Sequence, residues 1–225
     1  MFRLTAYMPF VAAMALVVVA SNVLVQFPVN GEVGGLQLAD ILTWGAFTYP
    51  FAFLVTDLAN RRYGPAVARR IVFVGFMLAV ICSIIVPPLL FTYGFIEFET
   101  AAGRLVRIAI ASGAAFLTAQ LLDVTVFNWL RRQSWWRAPV FGSLAGSVLD
   151  TALFFGIAFS ASFAFLGPSD GFALENAPLF GALPVETARW ISWAAGDFSV
   201  KLLIAVFALI PYRLIAARWK QPALA

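Results

Sequence analysis

Residues 71–95 read IVFVGFMLAVICSIIVPPLLFTYGF, a run of 25 residues without a charged side chain. A helix needs about 20 mostly apolar residues to cross the hydrocarbon core of a bilayer. The stretch is long enough for that, although Pro87 and Pro88 are expected to kink the helix or end it early. The sequence therefore predicts a membrane-spanning helix over Ile71–Phe95.

Five other segments of the chain have a similar length and apolar character. They are Tyr7–Phe27, Ala39–Ala59, Ile108–Leu130, Pro139–Leu166 and Trp190–Leu214. Apolar residues make up 62% of the chain and charged residues 12%, against about 45–50% and 25% in soluble domains. So few charges exclude a soluble fold, and high hydrophobicity excludes disorder. We predict an all-α integral membrane protein in which residues 1–225 form one domain of six transmembrane helices.

The basic residues are distributed unevenly between the loops that join these six segments. Three fall in loops on one predicted side, whereas eleven fall on the other: Arg3, Arg61, Arg62, Arg69, Arg70, Arg131, Arg132, Arg137, Arg213, Arg218 and Lys220. Basic loops face the cytoplasm, so both termini are predicted to be cytoplasmic. The net charge of +4 then reflects membrane topology, and no nucleic-acid partner is predicted.

Three charged residues are predicted to lie inside the membrane. Asp150 is near the middle of the fifth span and Lys201 near the middle of the sixth, with Asp197 one helical turn before Lys201. A charge at such a depth costs at least about 2.5–3.5 kcal/mol. We therefore predict a buried cluster of these residues that binds a substrate or an ion. The alternative is a salt bridge that only locks the two helices together, although two acids against one ammonium group disfavour it.

Several uncharged residues are weaker candidates for substrate contact, because each is also compatible with packing between helices. The polar candidates are Asn22, Gln26 and Gln120, and the aromatic candidates are Phe47 and Trp193.

Two further acids lie near the cytoplasmic ends of their spans and are followed by arginines. Asp57 and Asp123 are predicted to form helix-end ion pairs or a gate latch, together with Arg61 and Arg69. Pro50, in the second span, frees a backbone carbonyl that protein or water must satisfy. This indicates either a substrate path or a packing kink.

Other kinds of chemistry are excluded by what the chain lacks. It has no histidine and only one cysteine, which excludes a His/Cys metal site and a Ser-His or Cys-His nucleophile. It has no glycine-rich phosphate loop, so it does not hydrolyse nucleotide itself. We predict no enzyme activity, metal or cofactor; a hydrolase using Asp150 and Asp197 is an alternative that no motif supports.

Gly142 and Gly146 permit close helix contact within one chain or in a homodimer.

Several stretches together resemble the bacterial queuosine precursor transporters, the VUT family. They are SNVLVQFP at 21–28, TWGAFTYPF at 43–51, LVTDL at 54–58, QLLDVTVFN at 120–128, Asp150-Thr151 and DFSVK at 197–201. The likeness covers most of the chain in order, and the departure is a longer outer loop at residues 167–189.

The resemblance implies import of 7-deazaguanine bases, the cyano and aminomethyl precursors of the tRNA nucleoside queuosine, across the inner membrane. A guanine-like edge suits the carboxylates of Asp150 and Asp197, and its carbonyl suits Lys201, Asn22 or Gln26 as donor. This assignment follows from depth and chemistry and not from the family. The alternatives are a substrate-capture subunit of an ATP-driven vitamin importer and a carrier for another heterocycle or ion.

Overall fold

The structure is a computed structural model that describes residues 6–219. Nine α-helices and two small hairpins make up the regular structure of these residues. In chain order they are α1 (Met8–Leu24), β1 (Glu32–Val33), β2 (Leu36–Gln37), α2 (Gly45–Thr48), α3 (Phe51–Tyr63), α4 (Pro65–Thr92), α5 (Ala102–Leu130), α6 (Arg137–Phe159), α7 (Gly171–Leu174), β3 (Asn176–Leu179), β4 (Leu183–Ala188), α8 (Arg189–Phe207) and α9 (Leu209–Ala217).

Four helical segments of the described residues are long and apolar enough to cross a membrane. They are α4, α5, α6 and the combined α8–α9 segment Arg189–Ala217, and α1 is a shorter apolar helix of 17 residues. The chain is therefore a mostly helical, multi-pass membrane protein.

The predicted second span differs most from the structure. It does not begin at Ala39, because residues 28–44 fold back on themselves: the amide of Val29 donates to the carbonyl of Leu42, and β1 pairs with β2. The helix then starts at Gly45 and is interrupted, since α2 ends at Thr48 and Pro50 is the residue that caps α3. Proline lacks the amide that would continue the hydrogen-bond ladder.

Of the other predicted boundaries, that of the fifth span was wrong, and the early end that was one of two expected effects of Pro87 and Pro88 is not seen. The helix α4 does not end early, because it continues through Pro87 and Pro88 to Thr92. The φ angle of proline is compatible with a helix, and only two of the many bonds in this 28-residue helix lose a donor. The helix α6 stops at Phe159, and the predicted remainder to Leu166 is a 3-10 helix.

The core of the bundle forms where α1, α4 and α5 meet. Met14 from α1, Ile71 from α4 and Phe116 from α5 are buried together there. Gly75 makes this close approach possible, since a β-carbon at that position would lie 2.7 Å from Phe116 Cζ and 2.9 Å from Met14 Cγ.

The helix α6 packs tightly against its own chain through two glycines. A β-carbon on Gly142 would lie 2.5 Å from Asp123 Oδ1, and one on Gly146 would lie 2.5 Å from Phe53 Cε1. Both glycines thus face α3 and α5 of the same chain. The glycine face that suggested a dimer is used inside the molecule.

Basic and aromatic side chains gather at one end of the bundle, which we call the arginine-rich end. Arg61 Nη1 donates to the carbonyl of Arg131 at 2.8 Å, Arg62 lies over Trp219 and Arg213 lies over Trp135. Arg3 and Lys220, which entered the charge count, lie outside the described residues.

The opposite, loop-bearing end carries both hairpins and is fastened by Arg107. This side chain is 1% exposed and donates to the carbonyls of Ile157 at 2.8 Å, Ser160 at 2.5 Å and Gly167 at 3.3 Å. Three carbonyls at the end of α6 and in the loop that follows therefore share one buried guanidinium group.

Candidate functional site

A buried group of polar side chains lies near the middle of α6 and of the α8–α9 segment. We call it the central cluster, and it comprises Tyr49, Asp150, Thr151, Asp197 and Lys201. Lys201 Nζ donates to Asp150 Oδ2 at 2.6 Å and to Asp197 Oδ2 at 2.5 Å. It also donates to Thr151 Oγ1 at 3.0 Å. The structure thus brings together the three charged residues that the sequence predicts to meet.

Each element contributes to this cluster through a simple feature of its sequence. Asp197 and Lys201 are four residues apart on α8, so they share one helix face. Asp150 and Thr151 reach them from α6. The interruption between α2 and α3 places Tyr49, the residue before Pro50, where its hydroxyl donates to Asp150 Oδ1 at 2.8 Å. Irregular backbone at membrane depth is tolerated where protein or a cavity satisfies it, and it often marks a binding site.

The charges of the central cluster are balanced unequally. Two carboxylates face a single ammonium group, and Lys201 and Asp150 are only 3% and 4% exposed. Hydroxyl donors stabilise the excess negative charge, because Tyr49 donates to Asp150 and Thr151 donates to Asp197 Oδ2 at 2.9 Å. The Tyr49 ring also lies 5.3 Å from Lys201 Nζ, within cation–π range. Such a cluster can exchange an internal donor for a donor on a ligand.

A narrow cleft extends from Lys201 of the central cluster towards the arginine-rich end. Lys201 lies at one end of it, and Tyr212 is eleven residues further along the α8–α9 segment, roughly 16 Å at the helical rise per residue. Its wall includes Phe53, Asp57, Ser143, Ser147, Lys201 and Tyr212. Its free interior volume is only about 10 Å³, room for about one water molecule, so the helices must move apart before a base can enter.

Asp57 on α3 and Asp123 on α5, which we call the inner acid pair, lie close to each other within the bundle. They are 2% and 0% exposed, and hydrogen bonds from Thr56 to Gln120 and from Asn60 to the carbonyl of Val124 hold α3 against α5 on either side of them. The predicted ion pairs are not formed in the described part of the chain. Arg61 donates instead to the carbonyl of Arg131, and Arg69 is exposed at the start of α4.

The five weaker candidates lie away from the cleft wall. Asn22 donates to the carbonyl of Val18 and accepts from Ser83, whereas Gln26 is half-buried beyond the end of α1. Gln120 accepts from Thr56 at 2.7 Å. Asn22 and Gln120 thus contact backbone or neighbouring helices, and substrate contact by any of the three polar residues stays a prediction.

The two aromatic candidates lie nearer the loop-bearing end. The indole of Trp193 donates to the carbonyl of Asp40 at 2.9 Å and packs edge-on against Phe159. Phe47 packs against Trp44. Among the described residues, neither ring hydrogen-bonds to or stacks on a member of the central cluster, and their role in substrate contact stays a prediction.

Sequence reasoning missed Tyr49 and Tyr212 as parts of the two polar sites. In a chain with 23 phenylalanines, seven tryptophans and five tyrosines, a single tyrosine carries little information. The available signal for Tyr49 is its position next to Pro50, where a broken helix can present a side chain to the bundle interior.

Apolar helices that surround a buried charged cluster at the end of a cleft define a multi-pass membrane transporter. A family model described as "Putative vitamin uptake transporter" matches residues 43–215. The chain is 37% identical over 200 residues to the "Queuosine precursor transporter" of Escherichia coli, which covers 87% of this chain and 79% of that protein. It is 36% identical over 205 residues to the "Probable queuosine precursor transporter" of Haemophilus influenzae, with the same coverage of both chains. The chain belongs to the queuosine precursor transporter family.

Family membership confirms the resemblance drawn from the sequence. It also confirms that the chain is a transporter and not an enzyme. The alternative of a capture subunit for an ATP-driven importer gains no support from these relatives. No solved structure matches the chain significantly.

Proposed function

We propose that this protein imports 7-deazaguanine precursors of queuosine, in their cyano and aminomethyl forms, across the bacterial inner membrane. The names of the Escherichia coli and Haemophilus influenzae relatives support the substrate class. The observation that carries a binding role for this chain is the buried Asp150–Lys201–Asp197 network, whose Lys201 lines the cleft. The proposed partners are the base and the lipid bilayer.

We further propose that the chain crosses the membrane six times as one domain. The passes are α1, the broken α2–α3 segment, α4, α5, α6 and the α8–α9 segment, which follow one another through the bundle. The arginine-rich end faces the cytoplasm because basic residues are retained on that side, and both termini are then cytoplasmic. A homodimer and the absence of a nucleic-acid partner stay predictions.

The base would first meet Asp197, the most accessible acid of the central cluster. Its side chain is 15% exposed, against 6% for Asp150. Lys201 and Thr151 both bond to Asp197 Oδ2, which leaves Oδ1 without a hydrogen-bond donor among residues 6–219. The ring N–H and amino group of a guanine-like edge can donate to a carboxylate side by side. Lys201 can then turn one donor towards the base carbonyl.

The substrate proposal is tested by uptake in cells that lack both deazaguanine synthesis and their own transporter. With this chain supplied alone, a low external concentration of the cyano precursor should restore queuosine in tRNA. The variant Asp197→Asn should lower the initial uptake rate at least about tenfold, because hydrogen bonds to charged groups contribute about 1.5–3 kcal/mol.

Ser199→Ala is the matched control. This residue is exposed on the same helix, and its hydroxyl donates only to the backbone carbonyl of Ala195, one helical turn earlier. It should transport like the parent chain. Absence of restoration, with the protein present in the membrane, would contradict the substrate proposal. Competition by an unrelated heterocycle as strong as by the precursor would favour a carrier of different specificity.

A further inference from the structure

The inner acid pair has no part in the proposed recognition of the base, yet it is among the most buried polar groups of the chain. Asp57 and Asp123 are 2% and 0% exposed, and they lie at neighbouring positions of α3 and α5 that are held together by the Thr56–Gln120 and Asn60–Val124 hydrogen bonds. Both oxygens of Asp123 and Oδ1 of Asp57 lack a hydrogen-bond partner among residues 6–219. Buried carboxylates are normally paired or hydrogen-bonded, so this arrangement requires an explanation.

No cation neutralises the pair within the described residues. Near the ends of α3 and α5, Arg61, Arg62 and Arg131 form no salt bridge with either acid. Arg61 donates to the carbonyl of Arg131, and Arg62 lies over Trp219. Of the other elements packed on α3, the helix α1 has no ionisable side chain and α4 contributes only exposed arginines at its start. The helix α6 contributes Ser143 next to Asp57, with Arg137 bonded to Gln133. The helix α9 contributes Tyr212, while its Arg213 lies over Trp135.

Two ionised carboxylates cannot share this site. Both would be stripped of water, and each would repel the other in a medium of low dielectric constant. One proton held between them removes the repulsion and replaces it with a hydrogen bond, as in other carboxyl dyads. The tight packing agrees with a neutralised pair, because a β-carbon on Gly142 would lie only 2.5 Å from Asp123 Oδ1.

The surroundings supply a path by which such a proton could leave. Tyr212 is 1% exposed, and its hydroxyl has no hydrogen-bond partner among the described residues. It lines the same cleft as Asp57 and Ser143, the cleft that also reaches Lys201. An unpaired buried hydroxyl beside an acid is a group that can accept or relay a proton or a water molecule.

We propose that Asp57 and Asp123 together bind one proton and that this proton is the coupling ion for import. The coupling rests on the proposed function. The proton binds to the pair from the outer solution and is released into the cytoplasm, so that one proton moves inwards with each base. Release leaves two carboxylates that repel each other, which favours a conformation with α3 and α5 further apart. The pair is thus a positioning and proton-binding site and does not contact the base.

The first test needs no substrate. The full-length protein in lipid should show, at neutral pH, the infrared carbonyl band of a protonated buried carboxylic acid. The band should be lost in Asp123→Asn and in Asp57→Asn, and it should remain in Ser143→Ala, the adjacent change that removes no acid. A parent protein without this band would overturn the proposal, whatever the protein transports.

The second test measures coupling in vesicles that contain a pH-sensitive dye and receive 7-cyano-7-deazaguanine. Under a gradient of one pH unit, alkaline inside, the parent chain should accumulate the base about tenfold at one proton per base, and the interior should acidify. Asp123→Asn should lose both effects and keep the exchange of labelled for unlabelled base, which also shows that it is folded. Asp57→Asn should behave likewise.

The results separate the two proposals. Gradient-driven accumulation by Asp123→Asn at the parent level would overturn the proton site, and so would base exchange by the parent chain without proton movement. A parent chain that shows the infrared band but neither binds nor exchanges the base would retain the proton site. That result would refute the substrate and, with it, the coupling to this base.

Discussion

The molecule buries two groups of aspartates that differ in one component. In the central cluster, Asp150 and Asp197 share the ammonium group of Lys201 at 2.6 and 2.5 Å. In the inner acid pair, Asp57 and Asp123 have no cationic partner among the described residues. Burial alone therefore does not decide what a membrane carboxylate does. The neighbouring donor decides whether the site suits a substrate or a proton.

The two groups also differ in how their helices are held together. The central cluster joins α6 to α8 through charge, with Tyr49 and Thr151 completing the hydrogen bonds. The inner acid pair joins α3 to α5 at a place where Gly142 of α6 approaches Asp123. Removing a charge should therefore affect the first group most, and adding volume should affect the second.

The largest expected effect comes from Lys201→Met, which makes the central cluster resemble the inner acid pair. Removing one partner of a buried ionic network leaves uncompensated charge and costs about 3–5 kcal/mol. We expect a correspondingly lower thermal midpoint in detergent and loss of precursor uptake. Both are measured on the same preparation.

Leu203→Met is the matched control for Lys201→Met, because Leu203 lies two residues away on α8 and is 59% exposed. It should leave the midpoint unchanged. A double variant, Asp150→Asn with Lys201→Met, removes both charges and should recover part of the stability. If this double variant still transported at the parent rate, the central cluster would be only a structural staple.

The central cluster was predictable because the bilayer makes a charged residue at mid-span informative. Asp150, Asp197 and Lys201 could be placed at a common depth from span positions alone. The inner acid pair was located correctly near the helix ends, but its partner was not predictable. The arginines after Asp57 and Asp123 suggested ion pairs, whereas Arg61 turns to a backbone carbonyl instead. Sequence spacing does not say which acceptor a long flexible side chain selects.

The helices themselves were predictable to the extent that they are continuous. The spans α4 and α5 lie close to the apolar runs, since length and hydropathy are local properties of the chain, whereas α6 ends at Phe159, short of the predicted Leu166. The broken α2–α3 segment was not predictable, because its start depends on the folding back of residues 28–44 and its interruption on Pro50. Tyr49 owes its place in the central cluster to that interruption.

An intermediate effect is expected from Gly142→Ala, which adds volume beside the inner acid pair. The new methyl group would lie 2.5 Å from Asp123 Oδ1, and overpacking of this kind costs about 1–3 kcal/mol. The thermal midpoint should fall, and proton-driven accumulation should fall with it. Gly156→Ala on the same helix is the control, since nothing lies within 4 Å of its β-carbon. It should be neutral or stabilising by up to about 1 kcal/mol, and an equal loss in both variants would contradict the tight packing at Asp123.

The smallest effect should distinguish the two tyrosines, one in each polar site. Tyr49→Phe removes a hydroxyl that donates to Asp150 at 2.8 Å, while Lys201 still pairs with that acid, so it should cost about 0.5–1.5 kcal/mol, the net contribution of a typical hydrogen bond. Tyr212→Phe removes a hydroxyl with no partner in residues 6–219, so its midpoint should match that of the parent chain. Thermal unfolding of both variants in one detergent measures the difference. A loss for Tyr212→Phe as large as for Tyr49→Phe would mean that the Tyr212 hydroxyl is bonded after all, and that the inner acid pair has a donor of its own.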